Sequence, residues 1–230
     1  MQQAVGFCWQ FPNATQIKRN IPKTVLYDQL GANQALKQLF VEQVEEIVWT
    51  NIFSPRTLNI NATDDVPELN IITIRLRQAE LATNVLEALD KAMPRQVIWQ
   101  LQKPVGETDG IAQCYIACYK HKAENGKWQC SDYLKSPWGL QNSSEIRPLP
   151  IATNTKALYQ AMLKALLPLE VSIKPQENMA EITARLAKLA ELEKKITALR
   201  AKLAKEKQFN RKITLNQELN RLLAEREVHH

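Results

Sequence analysis

Residues 69–102, LNIITIRLRQAELATNVLEALDKAMPRQVIWQLQ, contain the pattern that decides the fold of this chain. The first part, LNIITIRLRQ, is rich in β-branched residues and follows the turn sequence NATDDVPE, which predicts a strand. The next part places apolar side chains on one face of a helix that Pro94 ends: Leu81, Val85, Leu86, Leu89 and Met93. In RQVIWQLQ, Val97, Trp99 and Leu101 face one way, as in a strand with one buried face. The stretch therefore predicts a strand, a helix and another strand.

Upstream of this stretch, the sequence predicts one long helix and one short strand. In ANQALKQLFVEQVEEIVWTN, residues 32–51, apolar side chains recur every three or four residues, which is typical of a half-buried helix: Leu36, Leu39, Phe40, Val44, Ile47 and Val48. We expect the helix to end near Ser54, because Pro55 disfavours the helical conformation in the residue before it. The segment TLNI, residues 57–60, then predicts a strand.

Downstream, IAQCYIACYK and GKWQCSDYL are strand-like runs separated by turn residues. A connection rich in Pro, Ser and Asn leads to KALYQAMLKALLPLE, residues 156–170, which predicts another amphipathic helix. The order of these elements predicts an α+β or α/β fold, with helices packed on a mixed sheet, over residues 1–172.

From residue 173 to residue 230, the pattern changes to that of a helical arm. Seven apolar residues follow one another at intervals of four and three, as in a coiled-coil seam: Ile182, Leu186, Leu189, Leu192, Ile196, Leu199 and Leu203. A second apolar stripe follows a capping box formed by Thr214 and Gln217: Leu215, Leu219, Leu222 and Leu223. The seam needs a partner, which is either the chain's own end or a second copy in a homodimer. A hairpin with a bend between Phe209 and Ile213 and one continuous helix both fit the sequence.

The positive charge of the chain is concentrated in this arm. The net charge is +6, and from Lys174 onward 13 Lys and Arg residues face 8 Glu residues. This asymmetry indicates that the arm contacts an acidic partner, which is either a nucleic acid or a protein, while plain solvation of a coiled-coil surface is the remaining explanation. The candidate binding residues are Lys195, Lys202, Lys205, Lys207, Arg211 and Lys212.

Composition and motifs predict no catalytic residues, no metal and no cofactor. A single internal histidine, His121, lies in a polar turn, and no glycine-rich phosphate loop occurs. Cys114 and Cys118 are expected on one face of a strand, too far apart for one zinc ion, and therefore as small core residues. The carboxylates of Asp64, Asp65 and Glu68 leave a metal-dependent nuclease as an alternative. No apolar run is long enough to span a membrane and no signal peptide is visible, so we expect a cytoplasmic protein.

Four segments carry a resemblance to a known family: IPKTVLYDQL, EEIVWTNIFSPRTLNI, LDKAMPRQVIWQLQ and, most distinctively, KEKQFNRKITLNQELNRL. From Ile21 to Leu223 the chain resembles an uncharacterised bacterial family, domain-of-unknown-function number forty-three ninety-one. The resemblance implies an accessory role in restriction-like or phage-defence loci, beside helicases and DNA methyltransferases, and carries over no catalytic residue. It points to motif residues around the expected bend: Gln208, Phe209, Asn210 and Asn216, with Arg211 and Lys212. A structural explanation for these residues is that Phe209 packs in the bend while the amides satisfy open backbone groups.

With the role that the resemblance implies, we expect a non-catalytic accessory subunit that docks a helicase or methyltransferase through its arm and contacts DNA. A nucleic-acid-binding module that works alone and a nuclease with a degenerate carboxylate site are the alternatives.

Overall fold

The computed structural model describes residues 6–105, 110–140, 145–168, 171–174 and 176–229. The chain divides into two compact units, Met1–Pro168 and Leu169–His230. The first contains a mixed sheet with packed helices and the second is a helical hairpin.

The first unit is built on a seven-stranded mixed sheet, counted over the described residues. In chain order its strands and those of a smaller sheet are β1 (Phe7–Gln10), β2 (Gln16–Asn20), β3 (Val44–Phe53), β4 (Leu69–Leu76), β5 (Gln96–Val105), β6 (Gly110–Lys122), β7 (Trp128–Lys135), β8 (Gly139–Leu140) and β9 (Glu145–Pro148). The large sheet has the order β2-β3-β4-β5-β6-β7, and β8 pairs with β6. Strands β4 and β5 run parallel, whereas the other neighbouring pairs of this sheet run antiparallel. Strands β1 and β9 form the smaller, parallel sheet.

The helices of this unit are α1 (Lys23–Leu30), α2 (Gln34–Gln43), α3 (Pro55–Leu58), α4 (Thr83–Ala92) and α5 (Thr155–Lys164). Helix α4 connects the parallel strands β4 and β5, which need such a crossover because a tight turn cannot join parallel neighbours. The predicted strand, helix and strand of residues 69–102 are therefore confirmed.

The main core lies between one face of the sheet and helices α1, α2 and α4. Phe40, Val85 and Leu89 come from the helices, and Ile72 and Trp99 come from the strands. Each is at most 2% exposed, and full burial of one such side chain contributes about 1.5–3 kcal/mol to folding. This core fixes α4 on the sheet.

The prediction of one long helix is wrong for residues 44–53. Helix α2 ends at Gln43, and residues 44–53 form strand β3. The reason is visible in the pairing with β4, which contains bulges between Val44 and Glu46 and between Trp49 and Asn51. A bulge adds one residue to a strand and shifts the alternation of its faces. The buried residues of β3 are therefore Val44, Ile47, Asn51 and Phe53. The first two intervals between them are three and four residues, as on one face of a helix.

Two smaller predictions in the first unit also differ from the structure. The segment TLNI does not form a strand, because Pro55–Leu58 is a single helical turn closed by a capping box between Ser54 and Thr57. Asn59 ends this turn in the left-handed conformation, which asparagine tolerates better than most residues. The helix predicted over residues 156–170 is shorter, since α5 ends at Lys164.

The second unit is a hairpin of helices α6 (Met179–Lys205) and α7 (Phe209–His229). Leu192, Ile196 and Leu199 of the predicted seam are buried against Leu222, and the rest of the α7 stripe packs around them: Leu215, Leu219 and Leu223. The chain's own end therefore covers the seam.

The start of α6 is anchored to the end of α7, so the two helices run antiparallel. The Arg185 guanidinium donates to the Glu177 carboxylate at 2.7 Å and to the backbone oxygens of Ser172 and His229 at 2.8 and 3.2 Å. An arginine with all these acceptors closes the open end of the hairpin.

The bend of the hairpin lies at Glu206–Gln208, directly before the predicted position between Phe209 and Ile213. The Glu206 carboxylate accepts hydrogen bonds from the amides of Lys207 and Gln208, each at 2.8 Å. It thereby satisfies backbone donors beside the start of α7, where helices leave them open. The predicted capping box at Thr214 is wrong, because Thr214 lies inside α7 and donates to the Asn210 carbonyl at 3.3 Å.

Candidate functional site

The hairpin tip, defined as residues 202–215, contains a groove between the two helices beside the bend. The groove has a volume of about 470 Å³ and is lined by Lys202, Lys205, Glu206, Arg211, Thr214 and Leu215. The end of α6 supplies the two lysines, and the first turn of α7 supplies the arginine. The helix break thus brings together three cations that are up to nine residues apart in the sequence.

The cations of the tip lack the carboxylate partners found elsewhere on the hairpin. Further from the bend, Lys195 pairs with Glu191 at 2.6 Å, and Lys188 pairs with Glu225 at 3.1 Å. Within the part of the chain that the structure describes, no ion pair involves Lys202, Lys205, Lys207, Arg211 or Lys212. The positive charge of the tip is therefore open to a partner from solution.

Glu206 is the one acidic residue among these cations. The hydrogen bonds from the Gln208 and Lys207 amides lower the pKa of Glu206, and the charges of Arg211 and Lys212 lower it further. The carboxylate is thus held ionised in a backbone role. It reduces the positive charge of the tip without pairing directly with one cation.

The six cations predicted from the sequence do not all belong to one site. Lys202, Lys205 and Arg211 line the groove, while Lys207 and Lys212 lie exposed beside it. Lys195 lies outside, because its position is seven residues before Lys202 on α6 and its amine is engaged by Glu191.

The motif residues Gln208, Phe209, Asn210 and Asn216 are all exposed. The expectation that Phe209 packs in the bend is wrong, because its side chain is 75% exposed, and Ile213 one turn later is 43% exposed. The bend is closed by Glu206, so the aromatic ring does not hold the helices together. The tip therefore presents an unburied aromatic ring next to unpaired cations, an arrangement suited to a ligand with both phosphates and flat rings.

The carboxylates considered for a nuclease do not form a metal site. Asp65 pairs with Lys156 at 2.5 Å and Glu68 lies 3.9 Å from Arg95. Across the described ranges, no group of three or more His, Cys, Asp or Glu side chains is placed to hold a metal ion.

A polar cluster that sequence reasoning missed lies between α4 and strands β5, β6 and β7. The Asp90 carboxylate accepts a hydrogen bond from Trp99 Nε1 at 3.2 Å and one from the Tyr133 hydroxyl at 2.6 Å. The Lys120 amine donates to the backbone oxygens of Asp90 and Met93, at the end of α4. Burial raises the pKa of Asp90, while the bond from Tyr133, the charge of Lys120 and the bond from Trp99 oppose that shift. The only sequence signal was an aspartate directly beside the apolar face of a predicted helix.

This cluster borders an open cavity of about 850 Å³, which is also lined by Trp128 and Cys130. Both oxygens of Asp90 and the amine of Lys120 already have partners within the protein. The cluster is therefore suited to joining α4 to three strands, a structural role.

The predicted placement of the strand cysteines is confirmed. Cys114 and Cys118 are 0% and 2% exposed, and Cys114 belongs to the main core. No helix in the described part of the chain combines the length and the apolar character needed to cross a bilayer.

Comparison with known proteins identifies the family. No curated protein and no solved structure matches the chain. The family model described as Domain of unknown function (DUF4391) matches residues 10–225, which include both the sheet and the hairpin. The chain therefore belongs to the DUF4391 family.

Proposed function

We propose that this protein is a cytoplasmic, non-catalytic accessory subunit of a bacterial restriction or phage-defence assembly, in which the hairpin tip contacts DNA. The arm also docks a helicase or a DNA methyltransferase of the same assembly. The observation that carries the proposal is the groove of the tip, where Lys202, Lys205 and Arg211 converge without a direct carboxylate partner among the described residues.

Three cations around one groove are suited to binding the phosphates of a nucleic acid backbone. Each Lys or Arg that neutralises a phosphate releases counterions, so such a surface binds DNA with a strong dependence on salt. Phe209 is exposed on the same tip and offers a face on which an unpaired base can stack. A surface that served solubility alone would mix both signs of charge, as the remainder of this hairpin does.

In this proposal the chain binds its partners and catalyses no reaction. Each oxygen of the Asp90 carboxylate accepts a hydrogen bond from the protein, and Asp65 and Glu68 lie beside cations. The restriction or phage-defence context is part of the proposal and is supported only by the resemblance to the family.

DNA binding is tested by fluorescence anisotropy with labelled duplex and single-stranded oligonucleotides at low salt. The test variant replaces Lys202, Lys205 and Arg211 with Gln. The control replaces Arg56, Lys127 and Lys164 with Gln, which removes the same charge from exposed positions of the first unit. We expect the test variant to bind DNA at least about tenfold more weakly, because up to three phosphate contacts are lost, and the control to bind as the wild type does. Equal affinities of the two variants would reject the groove as the contact surface.

Docking is tested by co-purification of the full-length protein with the helicase or methyltransferase encoded beside it. We expect the wild type to retain the partner and a variant with Lys202, Lys205, Arg211 and Lys212 changed to Glu to lose it. Retention of the partner by this variant would show that the tip is not the docking surface. DNA binding without any co-purifying partner would instead support a module that works alone.

A further inference from the structure

A mostly apolar cavity of about 510 Å³ is lined by α1, by the sheet and by the end of α4. Pro22 and Val25 come from the start of α1, Met93 follows α4, and the sheet contributes Ile72 and Val97. Val25 is 46% exposed, so the protein itself leaves part of this apolar surface uncovered. A cavity of this size and character, with a few polar groups, is typical of sites for small molecules.

Two polar side chains that line this cavity lack hydrogen-bond partners. Among the described residues, no group accepts a hydrogen bond from Trp49 Nε1 and none donates to Asn70 Oδ1. Both atoms are shielded from bulk water, and Asn70 as a whole is only 4% exposed. Buried polar groups in proteins nearly always have a partner. A donor and an acceptor without partners in one cavity therefore indicate a ligand that supplies both.

Trp49 and Asn70 lie on the same face of neighbouring strands. Trp49 of β3 pairs with Ile72 of β4, and Asn70 precedes Ile72 by two residues, which places its side chain on the same face. The Asn70 amide nitrogen donates to the Gln96 backbone oxygen at 3.5 Å. This bond is long and the last torsion of an asparagine is soft, so the amide can turn its oxygen toward the cavity. One flat ring can then contact both groups.

Two exposed arginines, Arg19 and Arg95, also line the cavity. Among the described residues, no ion pair involves Arg19. Arg95 Nε lies 3.9 Å from Glu68 Oε1, which is longer than a hydrogen bond. Guanidinium groups bind phosphates through paired, charge-assisted hydrogen bonds. The two arginines therefore provide a phosphate site next to the apolar walls.

We propose that this cavity binds an adenine nucleotide. Adenine is flat, and its N7 acceptor adjoins the donor amine at N6. In the proposed complex N7 accepts from Trp49 Nε1, the N6 amine donates to Asn70 Oδ1, and the phosphate lies at Arg19 and Arg95. Guanine presents two acceptors, N7 and O6, along the same edge, and would leave the Asn70 oxygen without a donor. Every lining residue belongs to the first unit, so the site is independent of DNA binding by the hairpin tip.

Binding is tested by isothermal titration calorimetry of the full-length protein with adenosine monophosphate as the probe. Guanosine monophosphate and inorganic phosphate are titrated for comparison. We expect the adenine nucleotide to bind at least about tenfold more tightly than either, because guanine leaves the buried Asn70 oxygen unpaired and phosphate alone leaves the apolar walls empty. Equal affinity for the two nucleotides, or no binding of adenosine monophosphate at millimolar concentration, would overturn the proposal.

The phosphate site is tested with a double variant, Arg19→Gln with Arg95→Gln. The matched control, Arg56→Gln with Lys127→Gln, removes the same charge from exposed positions of the first unit. We expect the arginine variant to bind adenosine monophosphate at least about tenfold more weakly than the wild type, and the control to bind as the wild type does. Equal affinities of the two variants would contradict the assignment of the phosphate.

The base contacts are tested with Asn70→Leu and Trp49→Phe. Asn70→Leu should bind adenosine monophosphate about tenfold more weakly, whereas its stability to urea should equal or exceed that of the wild type, because the free protein no longer buries an unpaired oxygen. Trp49→Phe keeps an aromatic ring and removes only the N–H, and should bind about threefold or more weakly. Lower stability of Asn70→Leu with unchanged nucleotide affinity would show a purely structural role, and unchanged affinity of Trp49→Phe would likewise reject the proposed contact.

Discussion

At Asp90 a carboxylate is buried on the helix that connects the two parallel strands, and it accepts hydrogen bonds from both β5 and β7. Burying a charge without a partner costs free energy of folding, and each buried donor that loses its hydrogen-bond acceptor adds to that cost. The partners Trp99 and Tyr133 lie 9 and 43 residues after Asp90 in the sequence, and Trp99 looks like an ordinary core residue of a strand. Their convergence depends on the pairing of β5, β6 and β7. The pattern of apolar residues in a sequence does not predict which strands pair with each other.

Removal of this carboxylate tests its structural role. We expect Asp90→Ala to lower the free energy of unfolding by about 2 kcal/mol or more, because the Trp99 and Tyr133 donors lose their acceptor. Urea denaturation of the full-length protein measures the change. Asp132→Ala, which removes an exposed carboxylate from β7, is the control and should shift stability by less than about 0.5 kcal/mol.

The raised pKa of Asp90 also predicts a pH dependence. The folded state holds the Asp90 proton more strongly than the unfolded chain does, so ionisation favours unfolding as the pH rises from the unfolded pKa of about 4 to the folded pKa. We expect the stability of the wild type relative to Asp90→Asn to be highest below pH 4, as a rough limit, and to fall through that window. Urea titrations of both proteins across a pH series provide the measurement. A difference that grows with rising pH would show that Lys120, Tyr133 and Trp99 stabilise the charged form more than burial opposes it.

The exposed ring of Phe209 can be tested for base stacking. If bases stack on its exposed ring, Phe209→Ala should weaken single-stranded DNA binding by about 1–3 kcal/mol and duplex binding much less. Anisotropy with matched single-stranded and duplex probes measures the two effects, and Ile213→Ala serves as the control for loss of exposed apolar surface. An equal loss of affinity for single-stranded and duplex DNA would show that bases do not stack on the Phe209 ring.

Among the elements, α6 and α7 depend on each other because neither helix can leave its apolar stripe in water. Their seam was visible in the sequence as a heptad pattern, but the break at Glu206–Gln208 was not, since Glu206 resembles any solvated coiled-coil residue. The decisive contacts are the two hydrogen bonds that the backbone amides of Lys207 and Gln208 donate to its carboxylate, and these bonds depend on the conformation of the bend.

The hairpin core should be sensitive to a single truncation. Ile196 is 0% exposed and packs with Leu192, Leu199 and Leu222, so Ile196→Ala should destabilise the hairpin by about 2–5 kcal/mol. Far-UV circular dichroism during urea unfolding should show helix signal lost at lower urea than in the wild type. Ile213→Ala removes similar atoms from a half-exposed position of α7 and should leave the transition nearly unchanged. Equal effects of the two variants would contradict the packing described for the seam.

Strand β3 shows where prediction from the sequence fails for an element. Its two bulges change the spacing of the buried residues, so that apolar periodicity points to a helix even though the residues are β-branched and aromatic. Strands β4 and β5 have no bulge between them, and both were predicted correctly. Periodicity thus identifies regular elements, and irregular ones follow from the pairing in the sheet.

At the scale of the whole molecule, the first unit contains the sheet and the second unit contains most of the excess positive charge. The sequence alone located the excess of positive charge in the arm and named the cations of the tip. It did not separate Lys202, Lys205 and Arg211 from Lys195, because the groove arises only where the hairpin turns.

The central claim is that this groove binds nucleic acid through phosphate contacts, and the salt dependence of DNA affinity tests it most directly. The affinity of the full-length protein for duplex DNA is measured over a series of salt concentrations, for the wild type and for the variant with Lys202, Lys205 and Arg211 changed to Gln. We expect the logarithm of the association constant to fall with the logarithm of salt concentration less steeply in the variant, by about 2–3 in slope, because each lost phosphate contact removes about 0.9. Identical slopes, or no binding by the wild type at the lowest salt, would contradict the account.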